Sequence, residues 1–338
     1  MTIKIGQVGL GRLGRVHAEN IVHHLPNAEL YAVASVVPEE LDYAKHTLGV
    51  PYTYTSYSQM INNDALDAVV IVSPSGFHTV QITQALDKGL HVFSEKPLGL
   101  EMTSIQKVVE KIEATPQQVF QLVFMRRFDD SYRYAKQLVD QGELGALTTI
   151  RCYGIDPSEG LPSFIKFAKG AASGGIFLDM SIHDIDLIRW FTQSEFKSDY
   201  ALGHNIAAPE LNACQELETG ACLAELNNGV IAYLLAGRNA HHGYHVETEL
   251  IGTKGMIRIG NAPEKNLVTL YDANGVVRPT STHFPERFKA AFVNELRAFI
   301  DAIKTQAPAS VTGIDGLKST EVAIAMQQAY ETKSIIQL

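Results

Sequence analysis

The sequence predicts an α/β chain in two parts: a doubly wound parallel sheet over residues 1–125, then an α+β domain over residues 126–338 on a mostly antiparallel sheet. Three observations carry this. Through the first third, short apolar runs alternate with stretches of helical spacing, the pattern of βα units with right-handed crossovers. A glycine-rich turn joins the first run to the first helical stretch. Beyond residue 125 the apolar segments lengthen, alternate with polar residues and are separated by tight turns, as in antiparallel sheets.

Taken in order, Ile3 to Val8 is a first strand, followed by the glycine turn and a helix through His17 and Ile21. Leu30 to Ala34 is a second strand, and Pro38 opens a helix to Leu48, since proline suits a first helical turn. Ala68 to Val72 is apolar throughout, as a strand buried on both faces must be. Ile82 to Leu86 is helical and His91 to Ser94 is the next strand. In the second part, a helix from Asp130 to Gln141 ends at Gly142. Strands follow at Leu147 to Tyr153, Cys214 to Leu226, Val230 to Ala236, Val246 to Ile251 and Met256 to Ile259. Asn227-Asn228-Gly229 reads as a hairpin turn, and Gly252 to Gly255 as another tight connection. Two helices, Phe288 to Ile303 and Gly316 to Thr332, close the chain.

The 338 residues suit about two domains. Apolar residues make up 46% and charged residues 19%, which excludes a disordered chain. No apolar run approaches the ~20 residues that cross a bilayer, and the N-terminus lacks the basic-then-apolar layout of a secretory signal. A net charge of −9 repels phosphate backbones, which argues against nucleic acid as a partner. Cys152, Cys214 and Cys222 stand far apart without a C-x-x-C pair, the pattern of reduced thiols in the cytoplasm.

Gly9-Leu10-Gly11-Arg12-Leu13-Gly14 is a G-x-G-x-x-G run between a strand and a helix. The first glycine permits the turn, the second admits a pyrophosphate, and the third lets helix and strand pack closely. The helix N-terminus then offers free N–H groups to the phosphates. The acidic residue expected at the end of the second strand is absent; Ser35 stands there. NADP would need a nearby cation, whereas Glu39 and Glu40 are acidic and the first lysine is Lys45. The expected cofactor is therefore NAD, with Ser35 hydrogen-bonding the ribose.

Ser94-Glu95-Lys96-Pro97 follows the His91 strand. Ligands of an open parallel sheet sit beyond the carboxyl ends of its strands, which places Lys96 beside the cofactor; a solvated surface charge is the alternative. From Ile176 to Phe191 an apolar helix carries Asp179 and His183 four residues apart on one face, with Asp186 three further on. Three readings are open: catalytic groups, an N-terminal cap with a satisfied core histidine, or ligands of a metal. The last lacks an H-E-x-x-H pattern and a further ligand.

Gly9 to Gly14, Glu95-Lys96-Pro97, the Phe124 to Asp129 segment and Asp179-x-x-x-His183 together resemble the Gfo/Idh/MocA oxidoreductases, along essentially the whole chain. Gly11 to Ile21 and Gly175 to Trp190 are similar to the inositol dehydrogenases of that family. The resemblance implies an N-terminal Rossmann domain, a C-terminal domain with a large open sheet that binds substrate, and a homotetramer assembled through those sheets. It implies a catalytic set of Lys96, Asp179 and His183, and a cis Lys96-Pro97 bond. Arg12, Leu13, Ser73, Pro74, His78 and Glu95 would join the glycines at the cofactor, and Arg127 and Asp156 would lie near a polyol. His242-Gly243-Tyr244 departs from the Tyr-Gly-Tyr of close inositol relatives. His241, His242 and His245 lack helical ligand spacing, so no metal is expected and His242 becomes a polyol hydrogen-bond partner. The implied reaction is oxidation of scyllo- or myo-inositol to a ketone, with His183 as general base, Lys96 stabilising the developing alkoxide and Asp179 balancing Lys96. The alternatives are a dehydrogenase of another sugar and a non-catalytic NAD sensor.

Overall fold

The structure, a computed structural model, describes residues 2–170, 173–214, 216–261, 265–273 and 275–338. It divides into two compact units, Met1–Phe128 with Ala290–Lys318, and Asp129–Lys289 with Ser319–Leu338. The segment Ala290–Lys318, read from sequence as part of the C-terminal domain, thus packs with the first unit. The Phe292 and Phe299 rings of the helix Lys289–Thr305 lie 5.6 Å from His17 and 5.6 Å from Phe93. The spacing of Phe292, Leu296 and Phe299 announces a buried stripe, but nothing in it names the surface it will cover.

The first unit holds a six-stranded sheet of β1 (Ile3–Val8), β2 (Ala28–Ala34), β3 (Tyr52–Tyr54), β4 (Ala68–Ile71), β5 (His91–Ser94) and β6 (Phe120–Leu122). Its order is β3-β2-β1-β4-β5-β6 and every pair is parallel. The β4 residues are all buried, as an apolar central strand between two helical layers requires. The chain runs outward from β1 to one edge and resumes at β4 toward the other. The crevice beyond β1 and β4 is therefore the switch point where such sheets take ligands. β3 and β6 have three residues each, too short to show a periodicity, and the sequence reading passes over both.

The second unit is built on β7 (Leu147–Pro157), β8 (Phe196–His204), β9 (Thr219–Leu226), β10 (Ile231–Ala240), β11 (His245–Gly252), β12 (Met256–Asn261) and the short β15 (Ile336–Gln337); β13 (Leu270–Asp272) and β14 (Gly275–Val277) form a separate ribbon. The large sheet has the order β12-β11-β7-β10-β9-β8-β15 and is antiparallel except between β7 and β10. Burial alternates along β9, so one face is packed and the other exposed. The predicted hairpin joins β9 and β10 at Gly229 (φ 83°), and Gly252 N–H donates to Gly255 O at 2.8 Å between β11 and β12. The predicted 214–226 strand starts only at Thr219; Gln215 lies outside the described residues.

One glycine decides how closely a helical segment approaches this sheet. A Cβ on Gly220 of β9 would lie 2.9 Å from Ile176 Cγ2 and 3.1 Å from the Phe177 ring. The bare backbone is what lets the segment carrying Asp179 settle on the strand. That segment is a wide π-helical turn, Phe177–Ser181, continued by the α-helix Ile182–Thr192, rather than one regular helix. Such turns are frequent at functional sites. Among the described residues no helix is long and apolar enough to cross a membrane.

Candidate active site

In the first unit the residues expected at the cofactor lie at or just after the carboxyl ends of β1, β2, β4 and β5. Gly9 has φ 86°, and a Cβ there would stand 2.4 Å from Val72 O. A Cβ on Gly14 would stand 2.3 Å from Gly9 O, so the helix could not close on the strand. Gly11 differs: its Cβ would meet only Glu40 Oε1, at 4.0 Å. Two glycines thus serve packing, while the middle one leaves open space over the N-terminus of the helix Arg12–His24. That cradle fits a pyrophosphate. Arg12 is exposed and Leu13 half-buried on its first turn. Gln7 Nε2 braces the turn from below, donating to Gly9 O at 2.9 Å and Gly14 O at 2.7 Å.

The acid missing from the end of β2 is supplied by the next helix. Ser35 Oγ donates to Glu40 Oε2 at 2.6 Å, and the Leu10 N–H reaches the same oxygen at 3.2 Å. Glu40 therefore sets a carboxylate beside the glycine turn, where a ribose hydroxyl could donate to it and a 2′-phosphate would be repelled. Sequence reading treats Glu40 only as a nearby repulsive charge. Its signal is the short reach from the first turn of the helix Pro38–His46 back to the strand end.

Ser73 Oγ donates to Gln81 Oε1 at 2.6 Å, and Pro74 is exposed. His78 is buried, with Nδ1 2.7 Å from Pro97 O and Nε2 2.8 Å from Ser73 O. It ties the loop after β4 to the loop after β5. Burial lowers its pKa below the ordinary imidazole value against the pull of both carbonyls. The Lys96-Pro97 bond is cis and Lys96 is half-buried. Glu95 is buried against His17 Nε2 at 2.8 Å, and its Oε2 accepts from the Lys96 N–H at 3.2 Å. Arg127 donates to Asp315 Oδ1 at 3.1 Å within the same unit. Burial pushes the Asp315 carboxyl up, but Arg127 and Thr312 outweigh it and hold the carboxyl below its ordinary value.

In the second unit the π-helical turn carries Asp179 and the α-helix that continues it carries His183, both half-buried. Asp179 does not cap the helix: its Oδ2 accepts from Arg238 Nη2 of β10 at 2.8 Å. The Arg238 guanidinium also lies 3.5 Å from the centre of the Phe164 ring, so both its charge and its flat face are engaged. Arg238 escapes sequence reading because it lies fifty-nine positions from Asp179, on a strand. Asp186 is buried. Asp156 is half-buried on β7. His242 is exposed, with Nε2 3.0 Å from His245 Nδ1, while His241 Nδ1 lies 3.1 Å from Ser158 Oγ. Burial lowers the His245 pKa, and the neighbouring His242 lowers it further.

The chain matches two family profiles. Residues 3–122 match the oxidoreductase family with an NAD-binding Rossmann fold, and residues 132–258 match the GFO/IDH/MocA C-terminal domain. Over 338 residues it is 31% identical to scyllo-inositol 2-dehydrogenase (NAD(+)) of Bacillus subtilis, covering 99% of this chain and 96% of that protein. It is 30% identical to myo-inositol 2-dehydrogenase of Thermotoga maritima, covering 99% and 98%. Among solved structures, scyllo-inositol dehydrogenase from Lactobacillus casei with bound NAD(H) and scyllo-inositol is 55% identical, with a TM-score of 0.97 over 100% of this chain and 99% of that one. Myo-inositol 2-dehydrogenase from Lactobacillus plantarum is 44% identical with a TM-score of 0.98 over the whole of both chains. Together with the glycine cradle and the Lys96, Asp179 and His183 elements, these full-length matches show that the chain belongs to the Gfo/Idh/MocA family of oxidoreductases.

Proposed function

We infer that this chain is an NAD-dependent oxidoreductase that converts a ring hydroxyl of scyllo- or myo-inositol to a ketone. The observation that carries this most is the 55% identity, over the full length, to a dehydrogenase that holds NAD(H) and scyllo-inositol. The glycine cradle and the Ser35–Glu40 pair fit the cofactor's pyrophosphate and ribose. When bound, NAD supplies the hydride acceptor.

Oxidation takes a hydride from the carbon and a proton from its oxygen. His183 is the general base that receives the proton, because an imidazole titrates near the working pH. Lys96 donates a hydrogen bond to the oxygen as it becomes alkoxide-like and offsets its charge. Asp179, anchored by Arg238, accepts from the ring hydroxyls and fixes which carbon faces the hydride acceptor. Arg127, Asp156 and His242 belong to the polyol's surroundings in this reading. Ser73, Pro74, His78 and Glu95 shape the cofactor's end of the site. The enzyme works in the cytoplasm as a homotetramer. Its thiols, which carry no disulfide, and the exposed apolar residues Tyr200, Leu202, Leu223 and Ile231 on the large sheet support this.

The test is NADH formation from a panel of inositols, aldoses and amino-sugars. Inositols should be oxidised with NAD, and His183→Ala should lower kcat by about 100- to 10,000-fold while NAD binding persists. Preference for an aldose, or undiminished turnover in the variant, would overturn the assignment.

A further inference from the structure

Next to Lys96 lies a buried set of three titratable groups, His17, Glu95 and Glu295, none of which takes part in the proton or hydride transfer above. Helix Arg12–His24 turns His17 inward, and its ring is met edge-on by Phe93 at 5.4 Å and Phe292 at 5.6 Å. The His17 Nε2 lies 2.8 Å from Glu95 Oε1, and the Lys96 N–H occupies Glu95 Oε2. Helix Lys289–Thr305 brings Glu295 to the same place. His17 and Glu295 have no exposed surface, and one side-chain ligand atom of each of the three residues lies within 4.8 Å of the others.

Neither side-chain oxygen of Glu295 has a hydrogen-bond partner among the described residues. A buried carboxylate in that condition is costly, and a second carboxylate at this range makes it more so. Burial and the neighbouring Glu95 both raise the Glu295 pKa well above the ordinary carboxyl value. Glu95 accepts from the Lys96 N–H on Oε2 and has His17 Nε2 2.8 Å from Oε1, whereas Glu295 has no partner on either oxygen among the described residues, so Glu95 is the better-solvated place for the negative charge.

We propose that Glu295 is a neutral carboxylic acid whose O–H donates to the Glu95 carboxylate, so that His17 and Glu295 lock Glu95 against the Lys96 backbone and Glu295 is a positioning residue for Lys96. The cluster carries one carboxylate charge and one carboxyl proton. A divalent ion is the competing occupant of such a set. The hydrogen-bond distances already made by both Glu95 oxygens favour the proton. So does the absence of a fourth His, Cys, Asp or Glu from the group among the described residues. The positioning role rests on the function assigned to Lys96 above; the proton does not.

The test is infrared spectroscopy of the full-length protein at about pH 9, where ordinary carboxyls are ionised. A protonated-carboxyl C=O stretch should be present, vanish in Glu295→Gln and survive in Asp199→Asn. In Glu95→Gln it should shift, because the acceptor has changed from carboxylate to amide; this second variant keeps the proposal testable should Glu295→Gln fail to fold. Turnover should be rescued by glutamine, whose amide also donates, whereas Glu295→Leu should lose about tenfold in kcat with the NAD KM unchanged. A spectrum unaltered by Glu295→Gln, a tightly held divalent ion lost in that variant, or equal kcat for the Gln and Leu variants would overturn the proposal. A chain that turns over no polyol yet shows the band would fail the functional reading alone.

Discussion

Glu40 and Arg238 show what single side chains do at a distance from the motifs. Glu40 returns a carboxylate to the end of β2 and is held there by Ser35 and the Leu10 N–H. If that charge is what disfavours a 2′-phosphate, Glu40→Arg should raise the NADP-to-NAD ratio of kcat/KM by about tenfold or more. Steady-state kinetics with both cofactors checks this, and an unchanged ratio would place discrimination elsewhere. The residues with local signatures are legible before folding. The three glycines sit in a fixed spacing, and Lys96 follows a strand end. Glu40 and Arg238 are not legible in their roles. A hydrogen bond to Ser35 or Asp179 depends on where a helix turn or a strand register happens to place a carboxylate or guanidinium, and no periodicity records that.

At the scale of elements, the strands that read correctly are those with clean patterns. β1 and β5 keep apolar side chains at Ile3, Ile5 and Val8 and at Val92 and Phe93, and their bounds are those the sequence implies. β8, with nine residues, escapes the sequence reading because its pattern is doubly spoiled. Its register slips between Phe196 and Ser198, and one inward position is Asp199. Neither carboxylate oxygen of Asp199 has a hydrogen-bond partner among the described residues, and burial pushes its pKa up to about 7. The folded chain therefore holds this proton more tightly than the unfolded chain, whose carboxyl has the ordinary value of 3.8. The contribution to stability is greatest below that value and falls as pH rises toward about 7, after which it is flat. Asp199→Asn should flatten this part of the profile and raise Tm above neutral pH. Thermal melts across pH would count against it if the variant kept the wild-type slope.

At the scale of the molecule, the exposed face of the large sheet sets apolar side chains beside charged ones. Cross-strand register aligns Tyr200 of β8, Leu223 of β9, Tyr233 of β10, Arg151 of β7, Glu249 of β11 and Arg258 of β12 in one row. One end of the row is apolar, with Leu223 55% exposed and Leu202 beside it 53% exposed. The other end is an ion-pair ladder in which Arg151 reaches Glu249 at 3.2 Å and Glu247 at 3.1 Å. Contiguous exposed apolar residues rimmed by charge mark an interaction surface. In a two-fold contact the same patch serves both copies, so a contact centred on the apolar end would cover its side chains on both partners at once. The formal charge of −9 per chain opposes association, and such an interface must outweigh it. Leu223→Arg places a cation in the apolar end of the row, where on assembly it would be buried without a partner. Light scattering should give a tetramer for the native chain and a lower mass for the variant, with the difference largest at low protein concentration. A native chain that stays monomeric at micromolar concentration, or a variant that keeps the full mass, would rule this face out as the contact between copies.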